Sequence, residues 1–206
     1  MKIWIQGAIV AAVAAALCGM TAHAQTDAAL SGLRTMTSSS TGSGTTQTPT
    51  DAEGALFELR HIVNPLVGYE FNYSYAEENE SYTSSSASNV SNCFPICGAL
   101  KVSGKANQFG GNWIFSMKAG NLTPFALAGV GFRITVPGSS PYSVNTVMRP
   151  AFVYGGGLDW RFQAHFGLRL QVQGITTKAP NLSDLYNATV KYTQIYEPMG
   201  GVFYRF

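Results

Sequence analysis

Charged side chains are scarce in this chain: Asp, Glu, Lys and Arg make up 12% of its 206 residues, about half the usual globular share. The formal net charge is only +2, and no cluster of basic residues or RNA-binding motif is present, which argues against a nucleic-acid partner. Long apolar runs are also missing. After residue 24 no stretch approaches the ~20 apolar residues that a membrane helix needs.

Histidine and cysteine are rare too, with three of each. We find no zinc-type cluster, phosphate loop or nucleophile elbow, so the sequence predicts no metal and no cofactor. Nucleophilic catalysis needs a nucleophile beside a base. His61 and His165 are the histidines after residue 24, and both lie in or beside predicted short turns. We therefore expect both histidines to be polar residues at the membrane interface, and we expect that the protein is not an enzyme.

The first 24 residues predict a cleaved signal peptide. Lys2 supplies a positive start, residues 8–17 form an apolar run, and Ala22-His23-Ala24 is a small-x-small cleavage site. Two alternatives stay open at this stage. The run could remain as a single membrane anchor, and Cys18 could belong to a lipoprotein signal.

Aromatic residues (12%) and glycine (22 residues) are plentiful, and the mean hydropathy is near zero. Along several runs of the chain after residue 24, polar and apolar residues alternate, which predicts β-strands with one apolar face. Clear runs occupy 66–75, 108–117, 152–162 and 166–176, and two less regular ones lie at 55–63 and 122–136. A further strand is predicted at 192–206. Gly155-Gly156-Gly157, inside one run, predicts a bulge or sharp bend.

The connections between these runs alternate in length. Short turns are predicted at 64–65, 119–121 and 163–164, and long loops at 77–103, 137–148 and 178–191. Residues 38–50 (SSSTGSGTTQTPT) and 81–92 predict flexible polar segments. Short turns at one end and long loops at the other favour an outer-membrane barrel. A lipocalin-like barrel or a soluble sandwich is the alternative, with its aromatic residues pointing into a core.

The end of the chain, YEPMGGVFYRF (196–206), carries a terminal Phe206 with Tyr204 and Val202 on the same face. It resembles the C-terminal signature of bacterial outer-membrane proteins, which implies recognition by the barrel-assembly machinery. The segments 60–75 (RHIVNPLVGYEFNYSY), 124–132 (PFALAGVGF) and 166–174 (FGLRLQVQG) resemble hairpins of the OmpA/OmpX-like superfamily.

That resemblance implies an all-β fold: a closed, antiparallel transmembrane barrel of eight strands in the bacterial outer membrane. It implies contact with outer-membrane lipid. We predict a signal peptide over 1–24, an N-terminal segment over 25–52, and the barrel over 53–206. Seven strands are clear in the sequence. The eighth is expected at Ala29 to Thr37, within the N-terminal segment.

Charged residues on the polar faces are expected to point into the lumen. An eight-stranded barrel is just wide enough to be filled by side chains, and buried charges must be paired. We therefore predict a nearly neutral network of ion pairs that plugs the interior. A narrow polar channel, or a catalytic site in the lumen, is the alternative. The predicted members are Glu58, Arg60, Glu70, Arg133, Asp159, Arg161, Arg169, Glu197 and Arg205.

Cys93 and Cys97 (CFPIC) lie in the predicted loop 77–103. In an oxidising compartment they predict a disulfide at the loop tip. A metal site would need further ligands, and no histidine is near. A thiol-redox motif usually has two intervening residues, whereas this one has three.

The sequence thus predicts a non-enzymatic outer-membrane barrel that contributes to envelope integrity or to surface interaction with an unknown extracellular ligand. A small porin-like channel for ions or small solutes is the runner-up. A lipid A-modifying enzyme is a further alternative.

Overall fold

The computed structural model describes residues 25–42, 45–64, 66–84, 100–138, 145–179 and 191–206. In these ranges no helix is long and apolar enough to cross a membrane. The described residues form ten strands: β1 (Gln25–Thr37), β2 (Ser40–Gly42), β3 (Thr45–Pro49), β4 (Ala52–Ile62), β5 (Val67–Ser84), β6 (Leu100–Ser116), β7 (Leu122–Pro137), β8 (Val147–Arg161), β9 (Phe166–Lys178) and β10 (Tyr192–Arg205).

Eight of these strands close into an antiparallel barrel. β4 to β10 pair in chain order, and β1 closes the ring by pairing with β10 on one side and β4 on the other. At the closure, Leu30 lies between Val202 and Phe57. Because every strand of the ring has two neighbours, no backbone edge is left for lipid to meet. The predicted eight-stranded barrel is confirmed.

The N-terminal segment contributes one wall of this barrel. Its strand begins at Gln25, four residues before the predicted start at Ala29. The barrel wall is therefore built from residues 25–206 and not from 53–206 alone. The predicted signal peptide, residues 1–24, lies outside the described residues and stays a prediction.

Two of the predicted flexible regions are wrong in extent. The polar segment 38–50 contains β2 and β3, and β3 pairs with the end of β5 from Glu80 to Ser84. The predicted loop 77–103 is shorter, because β5 runs to Ser84 and β6 begins at Leu100. Threonine, the commonest residue of β3, favours strands, and pairing with β5 satisfies the backbone groups of this polar segment.

The barrel wall is apolar outside and polar inside. Outward side chains such as Trp113 (62% exposed) and Val130 (68%) meet the surroundings, whereas Glu58 and Gln173 are fully buried in the interior. A soluble barrel or sandwich would show the reverse arrangement. This distribution, together with the closure, defines a transmembrane barrel.

The three glycines 155–157 form no bulge. Strand pairing to β7 and to β9 continues without a skipped residue through all three positions. Gly157 instead makes room for an inward aromatic ring, since a Cβ there would lie 2.7 Å from Cζ of Phe125. The triplet was predicted as a bend because the sequence does not show which ring it faces.

Candidate functional site: the charged barrel interior

Arg169 lies at the centre of a buried group of ion pairs. From β9 its guanidinium contacts Asp159 at 2.8 Å, Asp27 at 2.9 Å and Glu58 at 3.3 Å, and its side chain is 1% exposed. These carboxylates come from β8, β1 and β4. One side chain therefore joins strands on both sides of the barrel closure, across the lumen.

Arg60 extends the same group. It contacts Glu70 at 2.6 Å and Asp159 at 3.3 Å. Glu70 also accepts a hydrogen bond from Asn112 Nδ2 at 3.0 Å. The Arg60 guanidinium stacks over the ring of Phe125, 4.1 Å from its centroid. This ring explains why the sequence of β7 alternates poorly: an aromatic residue faces the lumen as a platform for cations.

Arg205 and Asp27 complete what we call the Arg169 network: Asp27, Glu58, Arg60, Glu70, Asp159, Arg169 and Arg205. Arg205 contacts Asp27 at 3.3 Å and is the most exposed member, at 13% of its side chain. Asp27, which is fully buried, was not among the predicted members. It shares the inward parity of Ala29 and Ser31, and it was overlooked because the strand was expected to begin at Ala29.

A second group, the Arg133 network, lies nearer the long connections and comprises Glu78, Glu80, Arg133 and Glu197. Arg133 contacts Glu78 and, at 3.6 Å, Glu197. Glu197 accepts a hydrogen bond from Thr35 at 3.4 Å. Glu80 accepts one from Gln47. Sequence analysis missed Glu78 and Glu80 because they were assigned to a loop, although both continue the inward parity of Glu70.

Glu80 lies beyond the apolar belt, since the outward side chains of β5 become polar from Glu77 onward. Burial raises the pKa of Glu80 to about 7; the hydrogen bond from Gln47 opposes this rise and the nearby charge of Glu78 adds to it. Glu80 is therefore a titratable carboxylate near neutral pH.

Charge in the described interior is nearly balanced, because Arg149 and Arg161 share the inward parity of Asp159 on β8 and add to the arginines of the two networks. In the described residues the two networks hold seven carboxylates and four arginines. Arg161 was predicted to belong to them, but it is half-buried and has no ion pair among the described residues. Arg149, the strand partner of Arg133, is also half-buried and likewise lacks a described ion pair.

Between the networks, β9 presents two glutamines to the lumen. Gln171 and Gln173 are buried, and neither amide has a hydrogen-bond partner in the described part of the chain. Buried amides need partners, and ordered water commonly provides them. This layer is the most polar part of the lumen that the ion pairs do not fill.

The end of the barrel with the short turns opens into a cavity of about 370 Å³. Asp27, Arg60, Asp159 and Arg205 of the Arg169 network line it, together with the exposed Lys118. The cavity is a vestibule that ends at the ion pairs. No group of three His, Cys, Asp or Glu side chains in the described residues is arranged to hold a metal ion.

The two histidines lie at the same end, outside the lumen. Nδ1 of His61 is 3.0 Å from Oγ1 of Thr26, and Nδ1 of His165 is 2.9 Å from the carbonyl oxygen of Arg205. The rings pack against Tyr69 and Tyr204. Among the described residues, the hydroxyl beside His61 is that of Thr26, and His165 contacts a backbone carbonyl.

The predicted assembly residues face outward at the end of β10. Val202, Tyr204 and Phe206 are 55%, 39% and 60% exposed. The ring of Tyr204 packs edge-on against Phe166 at 5.0 Å and Phe206 at 5.1 Å. These rings form part of an aromatic girdle. Cys93 and Cys97 lie outside the described residues, so their disulfide stays a prediction.

Solved structures match this architecture. The Neisserial surface protein A barrel aligns over 90% of this chain and 98% of its own, with 13% identity and a TM-score of 0.57. Ail, the attachment invasion locus protein of Yersinia pestis, crystallised with the heparin analogue sucrose octasulfate, aligns over 90% and 100%, with 12% identity and a TM-score of 0.56. OprG of Pseudomonas aeruginosa aligns over 89% and 95%, with 13% identity and a TM-score of 0.55.

All three are eight-stranded outer-membrane barrels, and the chain has their fold. No protein-family model and no curated protein sequence matches it. At such low identity the likeness concerns the architecture of the wall. It does not extend to the side chains of the lumen or to the loops.

Proposed function

We propose that this protein is a non-enzymatic outer-membrane barrel whose lumen is closed by ion pairs and whose exposed end contributes to the envelope or to surface interaction. The observation that carries this proposal is the position of Arg169, whose guanidinium joins Asp27, Glu58 and Asp159 across the lumen. These three ion pairs hold the Arg169 side chain across the lumen. The polar interior and apolar exterior support residence in a membrane.

Conductance tests the closed lumen. We expect the full-length mature protein, reconstituted in planar bilayers, to stay near the baseline current between pH 5 and 8. Arg169→Ala should admit ions, because it removes the central plug. Glu77→Gln, an outward substitution on β5, is the matched control and should stay closed. A large, steady conductance in the wild type would contradict the proposal.

A narrow channel is the second candidate, and one observation favours it. Gln171 and Gln173 present unpartnered amides to the lumen within the described residues, as a water-lined path would. Water in that layer alone does not conduct, since the Arg169 network lies below it. Conductance in the wild type that falls after Gln171→Leu would favour the channel.

A lipid A-modifying enzyme is the remaining alternative. The Thr26 hydroxyl lies 3.0 Å from Nδ1 of His61, but no described carboxylate contacts either histidine ring to orient it as a catalytic base, which supports a non-enzymatic role. Mass spectrometry of lipid A from cells with and without the protein tests this directly. We expect identical spectra, and a new acylation pattern that disappears in His61→Ala or His165→Ala would identify an enzyme.

The end of the barrel with the long loops is the best candidate for surface interaction, because the sheet continues there beyond the apolar belt. There β3 extends the wall along β5, and the outward residues of β5 are Glu77, Asn79, Ser81 and Thr83. Ail, which shares the fold, is described as an attachment and invasion protein. Replacing residues 40–49 by a short Gly-Ser linker should weaken attachment of expressing cells to host surfaces and leave the barrel folded.

We also propose that the end of β10 is recognised during assembly. Phe206 contributes both its ring and a backbone N–H that donates to Thr26 O at 2.9 Å. Deleting Phe206 should lower insertion into the outer membrane, whereas Phe206→Ala keeps the backbone bond and tests the ring alone. Val202→Arg should cost roughly 2 kcal/mol, the lower end for a lipid-facing arginine, because Val202 is near the boundary. Cell fractionation with heat-modifiable gel migration measures each.

A further inference from the structure

An apolar groove crosses the outer face of the barrel from β5 to β10. Its volume is about 690 Å³, within the range of ~300–1,000 Å³ for sites that bind organic ligands. Phe71, Phe132 and Phe152 are among its walls, and Gly111 forms its floor. Nothing lies within 4 Å of a Cβ built at Gly111. The groove therefore exists because one outward position lacks a side chain.

The groove rises toward the loop end of the barrel. One row of directly paired residues runs along the groove and begins at Phe71, four residues from the start of β5. The row passes through Gly111, Val130 and Phe152 and ends at Thr176, two residues from the end of β9. Tyr192, at the start of β10, lines its upper end. The upper end thus lies where the apolar belt meets the exposed surface.

A cation lies at that upper end without a described acidic partner. Lys178 Nζ is 5.8 Å from the ring centroid of Tyr192, its strand partner, and the exposed Lys191 precedes that tyrosine. Two other outward cations toward the loop end, Arg34 and Lys105, form ion pairs, whereas Lys101 on β6 forms none among the described residues. Arg34 pairs with Asp51 at 2.9 Å, and Lys105 pairs with Glu77 at 3.8 Å. Lys178 forms no ion pair with another described residue.

We propose that this groove is a lipid site that holds an acyl chain of lipid A, with a lipid A phosphate bound by Lys178. An apolar groove below and the ammonium group of Lys178 above match a molecule that carries acyl chains and phosphate together. The outer leaflet presents this glycolipid at the height of Tyr192. The site does not depend on whether the lumen is closed.

The test uses the purified full chain, folded in zwitterionic detergent, with bisphosphorylated lipid A as the probe and native mass spectrometry as the readout. Lys178→Gln should weaken binding about fivefold, the contribution expected of one lysine at a charged lipid surface. Lys105→Gln is the matched control, because Glu77 already neutralises Lys105, and it should leave affinity within about twofold of the wild type by the same arithmetic.

Gly111→Phe tests the apolar half without touching charge. The new ring fills the groove and has room to do so, so binding should fall while folding, measured by heat-modifiable migration, is retained. Gly32→Phe is the control: Gly32 also faces outward with nothing within 4 Å of a built Cβ, but on β1, away from the groove.

The headgroup is tested by changing the probe. Dephosphorylated lipid A should bind more weakly than the phosphorylated form and should not distinguish wild type from Lys178→Gln. Phosphatidylglycerol binding as tightly as lipid A would overturn the assignment to the glycolipid. Unchanged lipid A binding in folded Gly111→Phe, or equal losses in Lys178→Gln and Lys105→Gln, would overturn the site itself.

Discussion

The two charged networks in the lumen differ in how their charge is balanced. The Arg169 network sets three arginines against four carboxylates and adds aromatic platforms, Phe125 and Phe203, under the guanidinium groups. The Arg133 network sets one arginine against three carboxylates, with Glu80 held by Gln47 instead of an arginine. The first joins strands on both sides of the barrel closure, whereas the second contains Glu80, whose pKa burial raises to about 7.

The largest expected effect comes from breaking the balanced network. Arg169→Ala leaves Asp27, Glu58 and Asp159 buried with one partner fewer, and removing one side of a buried ion pair costs about 3–5 kcal/mol. Urea unfolding in lipid vesicles, followed by tryptophan fluorescence, measures the free energy of unfolding. Arg161→Ala is the control. Arg161 is half-buried and unpaired among the described residues, so its loss should be about 0.5 kcal/mol or less.

An equal loss in both variants would mean that burial of the arginine stem, and not its charge, stabilises the barrel. The proposed plug would then lose its main support.

The second-largest expected effect concerns how the free energy of unfolding depends on pH through Glu80 of the Arg133 network. Because burial raises the pKa of Glu80 from 4.5 to about 7, the folded state binds this proton more tightly than the unfolded state. The stability that Glu80 contributes is full below pH 4.5 and is lost as the pH rises toward 7. Glu80→Gln keeps a neutral side chain at all pH values. At pH 8 it should therefore be more stable than the wild type by about 2–3 kcal/mol.

The measurement is the free energy of unfolding of both proteins at intervals from pH 4 to pH 9. Glu77→Gln, on the outward face of the same strand, is the matched control and should keep the wild-type pH profile. If Glu80→Gln also keeps that profile, the Arg133 network does not titrate as a buried acidic group.

Much of the barrel wall could be predicted from the sequence because side-chain alternation has a period of two along every strand. Phe109, Trp113 and Phe115 face outward, and Glu58, Arg60 and Arg169 face the lumen, as the polarity pattern predicts. Their contacts could not be predicted. Which carboxylate contacts Arg169 depends on the shear of the closed barrel. The sequence of a single strand does not determine that shear.

The errors have a common physical cause. Glu78, Glu80 and β3 were assigned to loops because serine, threonine and acidic residues dominate there. In a barrel that extends beyond the membrane, both faces of a strand can be polar, and the alternation that reveals strands in lipid disappears. Asp27 was missed for a related reason, since a strand end next to a predicted cleavage site carries little pattern.

A smaller effect concerns the aromatic platform that only the Arg169 network has. Phe125→Leu keeps an apolar side chain but removes the ring beneath Arg60, and we expect a loss of about 1–2 kcal/mol from the cation–π contact and packing. Phe132→Leu, an outward residue of the same strand, should change the free energy of unfolding less. The opposite ranking would show that lipid-facing rings, and not interior platforms, stabilise β7.

The smallest effect is expected at the rim of the Arg169 network. Arg205 has one described ion pair, with Asp27 at 3.3 Å, and lies 5.5 Å from the centroid of the Phe203 ring. Because 13% of its side chain is exposed, water screens it more than the other members. Asp27 keeps Arg169 as a partner when Arg205 is replaced. Arg205→Gln should therefore cost about 1 kcal/mol or less, and Lys118→Gln, an exposed cation of the same vestibule, should cost still less. The same urea titration ranks the three substitutions, with Arg169→Ala far above the other two. If Arg205→Gln instead matches Arg169→Ala, Asp27 depends on the rim arginine, and the closure of the lumen lies at the mouth of the barrel instead of at its centre.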